Sequence, residues 1–171
     1  DLASVVEGAD YVFHQAAQAG VRASWGDSFA QYTQHNVLAT QRLLEAVKSK
    51  PLRKLVFASS SSIYGNTPLP MRETSLPQPV SPYGVSKLAA EHLCHLDQAK
   101  LGLPTFALRY FTVYGPRQRP DMAIHKFIRA IDCADPITVY GDGTQSRDFT
   151  YVGDVVQANI AAALSPVAGR A

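Results

Sequence analysis

The stretch Leu55-Val56-Phe57-Ala58-Ser59-Ser60-Ser61-Ser62 decides how this chain folds. Four consecutive apolar residues between Pro51 and a serine run are too few for a helix. They read as a short strand buried on both faces, the kind found in parallel sheets. Upstream, Tyr32, Val37, Leu38, Leu43, Leu44 and Val47 recur near a 3.6-residue period. That spacing predicts a helix from Asp27 to Lys48, ended by Pro51. Downstream, a loop rich in Pro, Thr and Ser runs from Gly65 to Pro82, and a second helix is expected from Tyr83 to Lys100, closed by Gly102 and Pro104. Tyr11–Ala17, apolar and ending in small residues, reads as a strand running into a tight loop, and Thr105–Tyr110 reads as a further strand. Further on, the sequence predicts a helix over Met122–Ala134 and a strand over Ile137–Tyr140 turning at Gly141-Asp142-Gly143. A last helix is expected over Val152–Leu164, capped by Gly153 or Asp154. Strands alternating with helices predict an α/β fold of βαβ units around a mostly parallel sheet.

The chain has 171 residues, 46% of them hydrophobic, enough for one ordinary domain with a sizeable core. Sixteen basic against fourteen acidic residues leave a charge of +2, which argues neither for a nucleic-acid binder nor for an acidic tail, and no nucleic-acid partner is expected. No apolar run approaches the ~18 residues of a membrane span. The start, Asp1-Leu2-Ala3-Ser4, does not read as a secretory signal. Cys94 and Cys133 lie 39 residues apart with no spaced partner, so they read as two buried or half-buried thiols in a reducing compartment, and a cytoplasmic location is expected. His92 and His95, three apart beside Glu91, could be metal ligands but read better as polar residues on an exposed helix face, and no metal site is expected.

The chemistry concentrates in Ser60, Tyr83 and Lys87. Tyr83 and Lys87 are four apart on one predicted helix, so their side chains share a face. A phenol ordinarily ionises near ~10, and a cation beside it favours the phenolate. Ser60 sits just past the end of a parallel strand, where ligands bind in open α/β sheets. From there its hydroxyl can hydrogen-bond the oxygen that Tyr83 deprotonates. Gly141-x-Gly143 invites a dinucleotide-loop reading, but Ser146 replaces the third glycine and the residues from Arg147 read as extended. It is taken as a turn in a substrate-binding part. Arg109 reads as an ion-pair residue at a strand end.

Several ordered motifs span nearly the whole chain: His14-Gln15-Ala16-Ala17, Asn36-Val37-x-Ala-Thr40, Ser59-Ser60-Ser61-Ser62-Ile63-Tyr64-Gly65 and Ser81-Pro82-Tyr83-Gly84-x-Ser86-Lys87. Leu108-Arg109-Tyr110-Phe111-Thr112-Val113-Tyr114-Gly115-Pro116-Arg117 and Tyr140-Gly141-Asp142-Gly143-x-x-x-Arg147-Asp148-Phe149 follow. In these the chain resembles the extended short-chain dehydrogenase/reductases, in their NAD-dependent nucleotide-sugar epimerase/dehydratase branch. The resemblance implies a Rossmann-like, doubly wound, mostly parallel sheet with part of a small substrate-binding lobe. It assigns Tyr83 as catalytic base, Lys87 as the cation that tunes it and holds the nicotinamide ribose, and Ser60 as the hydroxyl that positions the sugar. Ala16, Ala17, Asn36, Tyr110 and Phe111 would line or support the NAD site. Ser61, Thr112, Arg117 and Arg147 would meet the nucleotide sugar, with Arg147 on the diphosphate, a task suited to its planar fork.

Within the branch, dehydratases carry an adjacent Asp-Glu pair after the position of Ser60, and a decarboxylase group tends to carry Glu at the second of those positions. Here they are Ser61 and Ser62. Epimerisation needs neither carboxylate. The resemblance therefore implies C4 epimerisation of a nucleotide-diphosphate sugar through transient oxidation to a keto-sugar. Thr112, in place of the Asn of galactose-type epimerases, favours a UDP-uronic acid over a UDP-hexose. Dehydratase, decarboxylase or reductase activity, and an inactive fragment or non-catalytic nucleotide-binding module, are the competing readings. The family's first strand and Gly-rich turn have no match here, so truncation at both ends is expected. Residues 1–115 would then be the C-terminal portion of the NAD-binding domain, and 116–171 a partly interleaved substrate-binding segment. A homodimer through the helices at Asp27–Lys48 and Tyr83–Lys100 is likewise expected from the resemblance.

Overall fold

The computed structural model describes residues 1–171. A short helix, α1 (Leu2–Val5), precedes strand β1 (Tyr11–His14). Helices α2 (Phe29–Tyr32) and α3 (Ala39–Val47) follow, then β2 (Lys54–Ser60), α4 (Pro82–Leu101) and β3 (Thr105–Tyr110). Next come β4 (Thr112–Tyr114), α5 (Ala123–Asp132), β5 (Phe149–Tyr151) and α6 (Val152–Leu164). The chain forms two compact units, one of residues 1–110 with 158–171 and the other of residues 111–157.

In the first unit β1, β2 and β3 form a parallel sheet in that order, with Phe13 opposite Val56 and Ser60 opposite Tyr110. All seven residues of the central strand β2 are buried. Leu55 and Phe57 face one side, in a core with Leu43, Leu44 and Val47 of α3, Ala90 and Cys94 of α4, and Ala107 of β3. Val56 faces the other side, against Ala162 and Ala163 of α6. Helices on both faces explain why this strand is an unbroken apolar run rather than an alternating one.

Helix α4 starts where a capping side chain meets proline. The Ser81 hydroxyl accepts from the Gly84 amide at 3.1 Å and Pro82 takes the first helical position. The helix stops at Gly102, whose φ of +72° is the left-handed conformation that suits glycine.

The predicted helix over Asp27–Lys48 is more elaborate than its periodicity implies. A tight turn at Gly26–Ser28 leads into α2, and Thr33–Leu38 is π-helical before α3 begins. The wider turn surrounds Asn36, whose side chain is buried and whose carbonyl accepts from the Thr40 hydroxyl at 2.6 Å. Such π segments recur at functional sites.

In the second unit β4 and β5 pair in parallel, Thr112 opposite Phe149 and Tyr114 opposite Tyr151. The Tyr114 ring packs on Phe149 and Tyr151 with centroids 6.4 Å and 5.7 Å away. Gly115 (φ +140°) lets the chain pass Val152, since a Cβ there would lie 2.5 Å from Val152 Cγ1. Residues 147–152 read as extended, and β5 occupies their middle. The predicted strand Ile137–Tyr140 does not form. Val139 and Tyr140 are more than half exposed, and the Tyr140 carbonyl accepts from the Gln145 side chain at 2.6 Å instead of from a neighbouring strand. Helix α6 begins at Val152, so Gly153 and Asp154 lie inside its first turn rather than capping it. No helix of the structure is long and apolar enough to cross a membrane.

Candidate active site

β2 ends in the serine run, and the chain turns there at once. Ser60 is extended (φ −152°, ψ 145°), and its Oγ accepts from the Ser62 amide at 3.1 Å, capping the tight turn Ser61–Ile63. The N-terminus of α4 packs against this turn. A Cβ on Gly84 would stand 2.6 Å from the Ser62 carbonyl oxygen and 3.0 Å from Pro79 Cβ. Only a residue without a side chain admits that approach, and it brings the start of α4 up to the serine turn. Gly84→Ala is therefore expected to push α4 off the turn, lowering stability by about 1–3 kcal/mol. Thermal melts check this: an unchanged melting temperature would show that the close approach is dispensable.

Lys87, one turn further along α4, is 3% exposed, and its Nζ lies 4.4 Å from the centre of the Phe57 ring. Burial pushes its ammonium down to about 8, against the opposing field of Glu91. The site thus holds a desolvated cation on the same helix face as Tyr83. The Tyr83 ring stands edge-on to Tyr32, centroids 6.2 Å apart, and the buried Tyr32 hydroxyl donates to the Gly20 carbonyl at 2.8 Å.

The loop after β1 is fastened to this helix through Asn36. Its Oδ1 accepts from the Gln18 amide at 2.7 Å, and its Nδ2 donates to Gln18 O at 3.0 Å and to Ser86 Oγ at 2.9 Å. Ser86 Oγ in turn donates to the Tyr83 carbonyl at 2.8 Å. Asn36 thus holds the loop in place, leaving Ala16 and Ala17 as exposed small side chains. At the end of β3 the Tyr110 hydroxyl donates to Asn159 Oδ1 at 2.8 Å, and Gln15 Nε2 reaches both, at 3.1 Å and 3.0 Å.

A model of the NAD dependent epimerase/dehydratase family matches residues 1–171. The chain belongs to that family. It is 52% identical over 157 residues to an uncharacterised UDP-glucose epimerase, YtcB, of Bacillus subtilis, covering 92% of this chain and 50% of that protein. It is 46% identical over 151 residues to a UDP-glucuronate 4-epimerase of Thermodesulfobacterium geofontis, covering 88% and 46%. The fold superposes on the crystal structure of a UDP-glucuronic acid 4-epimerase of Bacillus cereus in complex with UDP-glucuronic acid and NAD. There the TM-score is 0.95 and the identity 47%, with 99% of this chain and 54% of that one covered. The chain spans about half the length of the curated relatives it matches. The Rossmann-like α/β architecture that the family motifs imply is the one observed.

The first unit of this family member carries Ala16, Ala17, Asn36, Ser60, Ser61, Tyr83, Lys87 and Tyr110. The second carries Phe111, Thr112, Arg117 and Arg147. Its arginines are exposed: Arg117 has a φ of +66°, and Arg147 Nη1 donates to the Ser146 carbonyl at 2.6 Å. Arg109 forms the ion pair expected of it, with Glu91. Tyr32, Ser86, Gln15 and Asn159 were not among the expected site residues. Gln15 and Ser86 lie inside the family motifs but carried no assigned role, while Tyr32 and Asn159 are single polar side chains on helices, and their partners in space reveal all four.

Two buried titratable groups near the site set the acid stability. His14 lies against the Thr40 hydroxyl, with Nε2 2.8 Å from Oγ1, and burial, aided by the Lys87 charge, lowers its pKa to about 4. Burial raises Glu91, but the nearby His95, the hydrogen bonds from Arg109 and Ser59 and the Arg109 charge outweigh it and bring it to about 2. Below pH 6.5 the unfolded chain takes up a proton at His14 that the fold refuses, so stability falls as the pH drops from 6.5 through 4. The Glu91 contribution is complete above pH 4.5 and is lost as the pH falls from 4.5 through 2. Each group accounts for about 3 kcal/mol across its window. Melting temperatures against pH check this, and His14→Gln is expected to flatten the upper window alone.

Proposed function

We propose that the protein containing this chain epimerises a UDP-sugar at C4 with NAD, and that the sugar is a UDP-uronic acid. The observation that carries the reading is the desolvated Lys87 cation four residues along α4 from Tyr83, on a helix whose start packs on the Ser60 turn, where Ser61 and Ser62 stand in place of acid–base carboxylates. The UDP-glucuronate 4-epimerases among its relatives and structural neighbours support the choice of sugar.

The residues fit NAD. Ala16 and Ala17 leave room for a dinucleotide backbone, Lys87 offers an ammonium to a ribose, and Tyr83, Tyr110 and Phe111 would complete the nicotinamide end, with Asn36 fixing the loop from behind. When bound, NAD supplies a reversible hydride acceptor. Tyr83, as phenolate, takes the proton of the sugar 4-hydroxyl and returns it on the way back. Lys87 stabilises that phenolate by its charge. Ser60 holds the reacting oxygen, and Ser61 lies beside it in the turn. Thr112, Arg117 and Arg147 of the second unit serve substrate binding, with Arg147 on the diphosphate.

The reading extends to a homodimer in which α4 and the α2–α3 segment meet their counterparts, since Phe29, Leu38, Val85 and Leu96 are exposed on them. It also extends to a cytoplasmic enzyme, in keeping with two free cysteines, of which Cys94 is buried as expected while Cys133 is exposed rather than buried or half-buried.

The test is product analysis by nuclear magnetic resonance after incubating the full-length protein with NAD and UDP-glucuronic acid, with UDP-glucose in parallel. The C4 epimer of the uronic acid is expected, without net reduction of NAD. A deoxy-keto sugar, a pentose released with carbon dioxide, or accumulating NADH would overturn the assignment.

A further inference from the structure

Glu91 lies one turn beyond Lys87 on α4 and is 2% exposed. A carboxylate in that position needs donors, and it has them from two strands. Arg109 Nη2 donates to Oε1 at 2.7 Å and Nε bridges both oxygens at 3.2 Å and 3.3 Å. The Ser59 hydroxyl donates to Oε2. His95 Nε2, on the same helix, lies 3.8 Å from Oε1. The other edge of the guanidinium continues outward, with Arg109 Nη1 donating to the Tyr64 hydroxyl and to the Glu73 carbonyl, each at 3.1 Å.

The partners are adjacent to the reacting groups. Ser59 precedes Ser60, Arg109 precedes Tyr110, and the two pairs stand opposite each other in the β2–β3 register. Tyr64 closes the serine turn and Glu91 shares a helix with Tyr83 and Lys87. One carboxylate therefore ties together the strand that delivers Ser60, the strand that delivers Tyr110 and the helix that delivers Tyr83 and Lys87. Stability alone is a weak reason to bury an ion pair, because apolar residues of similar volume serve a core as well or better. Positioning is a stronger reason, since reacting groups lose rate steeply when misplaced by about an ångström.

We propose that Glu91 and Arg109 form a buried positioning clamp that sets the distance between the Ser60 turn and the Tyr83–Lys87 face of α4. The clamp touches no reacting atom and acts through Ser59, Tyr64 and the helix. It rests on the reaction assigned above.

The test is the double variant Glu91→Met/Arg109→Leu in the full-length protein, which fills the space while removing every clamp hydrogen bond. Its melting temperature is expected within a few degrees of the wild type, with kcat lowered about tenfold or more and KM little changed. Amide exchange is expected to speed up by about tenfold in Ser61–Ile63 and the first turns of α4, and to stay unchanged in Leu55–Phe57. Wild-type kcat and wild-type exchange in the folded double variant would overturn the clamp. Should the double variant fail to fold, Ser59→Ala and Tyr64→Phe each remove one arm without touching the charges. A drop in kcat at near-native melting temperature supports the clamp, and unchanged kcat in both overturns it. If the wild type turns over no UDP-sugar, the assigned reaction fails, and the exchange measurement alone decides the clamp.

Discussion

Tyr83→Phe is expected to lower turnover by about 10²–10⁴-fold while leaving the fold and the bound cofactor in place. The substitution removes one oxygen and keeps the ring that stands edge-on to Tyr32. It does not touch the Ser81 cap, the Gly84 approach or the Asn36–Ser86 link that fix the start of α4. Stability should therefore change by about 1 kcal/mol or less. Steady-state kcat, melting temperature and the nicotinamide content of the purified protein read the three consequences separately. Retained turnover would remove Tyr83 from the chemistry. Loss of the fold would show that its hydroxyl is structural.

Lys87→Met acts on the same proton from the other side and separates stability from catalysis. In the fold Lys87 ionises at about 8 rather than 10.5, so holding it protonated at neutral pH costs stability. The unfolded chain binds that proton more tightly, and the penalty fades as the pH rises from 8 through 10.5. Methionine fills a similar space over Phe57 with no charge to desolvate, so the variant is expected to be more stable than the wild type at pH 7 by roughly 1–3 kcal/mol. Turnover should move the opposite way, falling about 10²-fold or more at neutral pH. Its pH optimum should shift upward, because the phenolate at Tyr83 loses the cation that favours it. Unfolding curves and a kcat–pH profile on the same preparation check both signs. A variant that is less stable, or that keeps the wild-type profile, would contradict the role given to Lys87.

Much of this arrangement is legible in the residues, for physical reasons particular to each. Leu55–Ala58 reads as buried on both faces because helices cover both faces, and α6 closes the side that α3 and α4 leave open. Tyr83 and Lys87 declare themselves by a four-residue spacing that only a helix converts into a shared face. Arg109 follows a strand of apolar residues, a place where a charge needs a partner, and it finds Glu91.

Other features depend on contacts between distant residues and leave no local pattern. Ile137–Tyr140 has the composition of a strand, yet it lies in neither sheet. The strands that do form in the second unit are three residues each, too short to carry a period. The π-helical turn follows from Asn36 gripping Gln18 and Ser86, residues 18 and 50 positions away. Glu91 reads as one more polar helix residue beside two histidines, and only its strand partners Ser59 and Arg109 identify it as buried.

The reaction proposed for the Ser60, Tyr83 and Lys87 site is a reversible oxidation confined to C4 of a UDP-sugar. UDP-glucuronic acid deuterated at C4 tests it most directly, with the full-length protein and the product read by nuclear magnetic resonance and mass spectrometry. A C4-inverted sugar that retains its deuterium at C4 and gains no solvent hydrogen elsewhere on the ring is expected. Inversion with the C4 deuterium lost to solvent, or a product altered at C5 or C6, would contradict it.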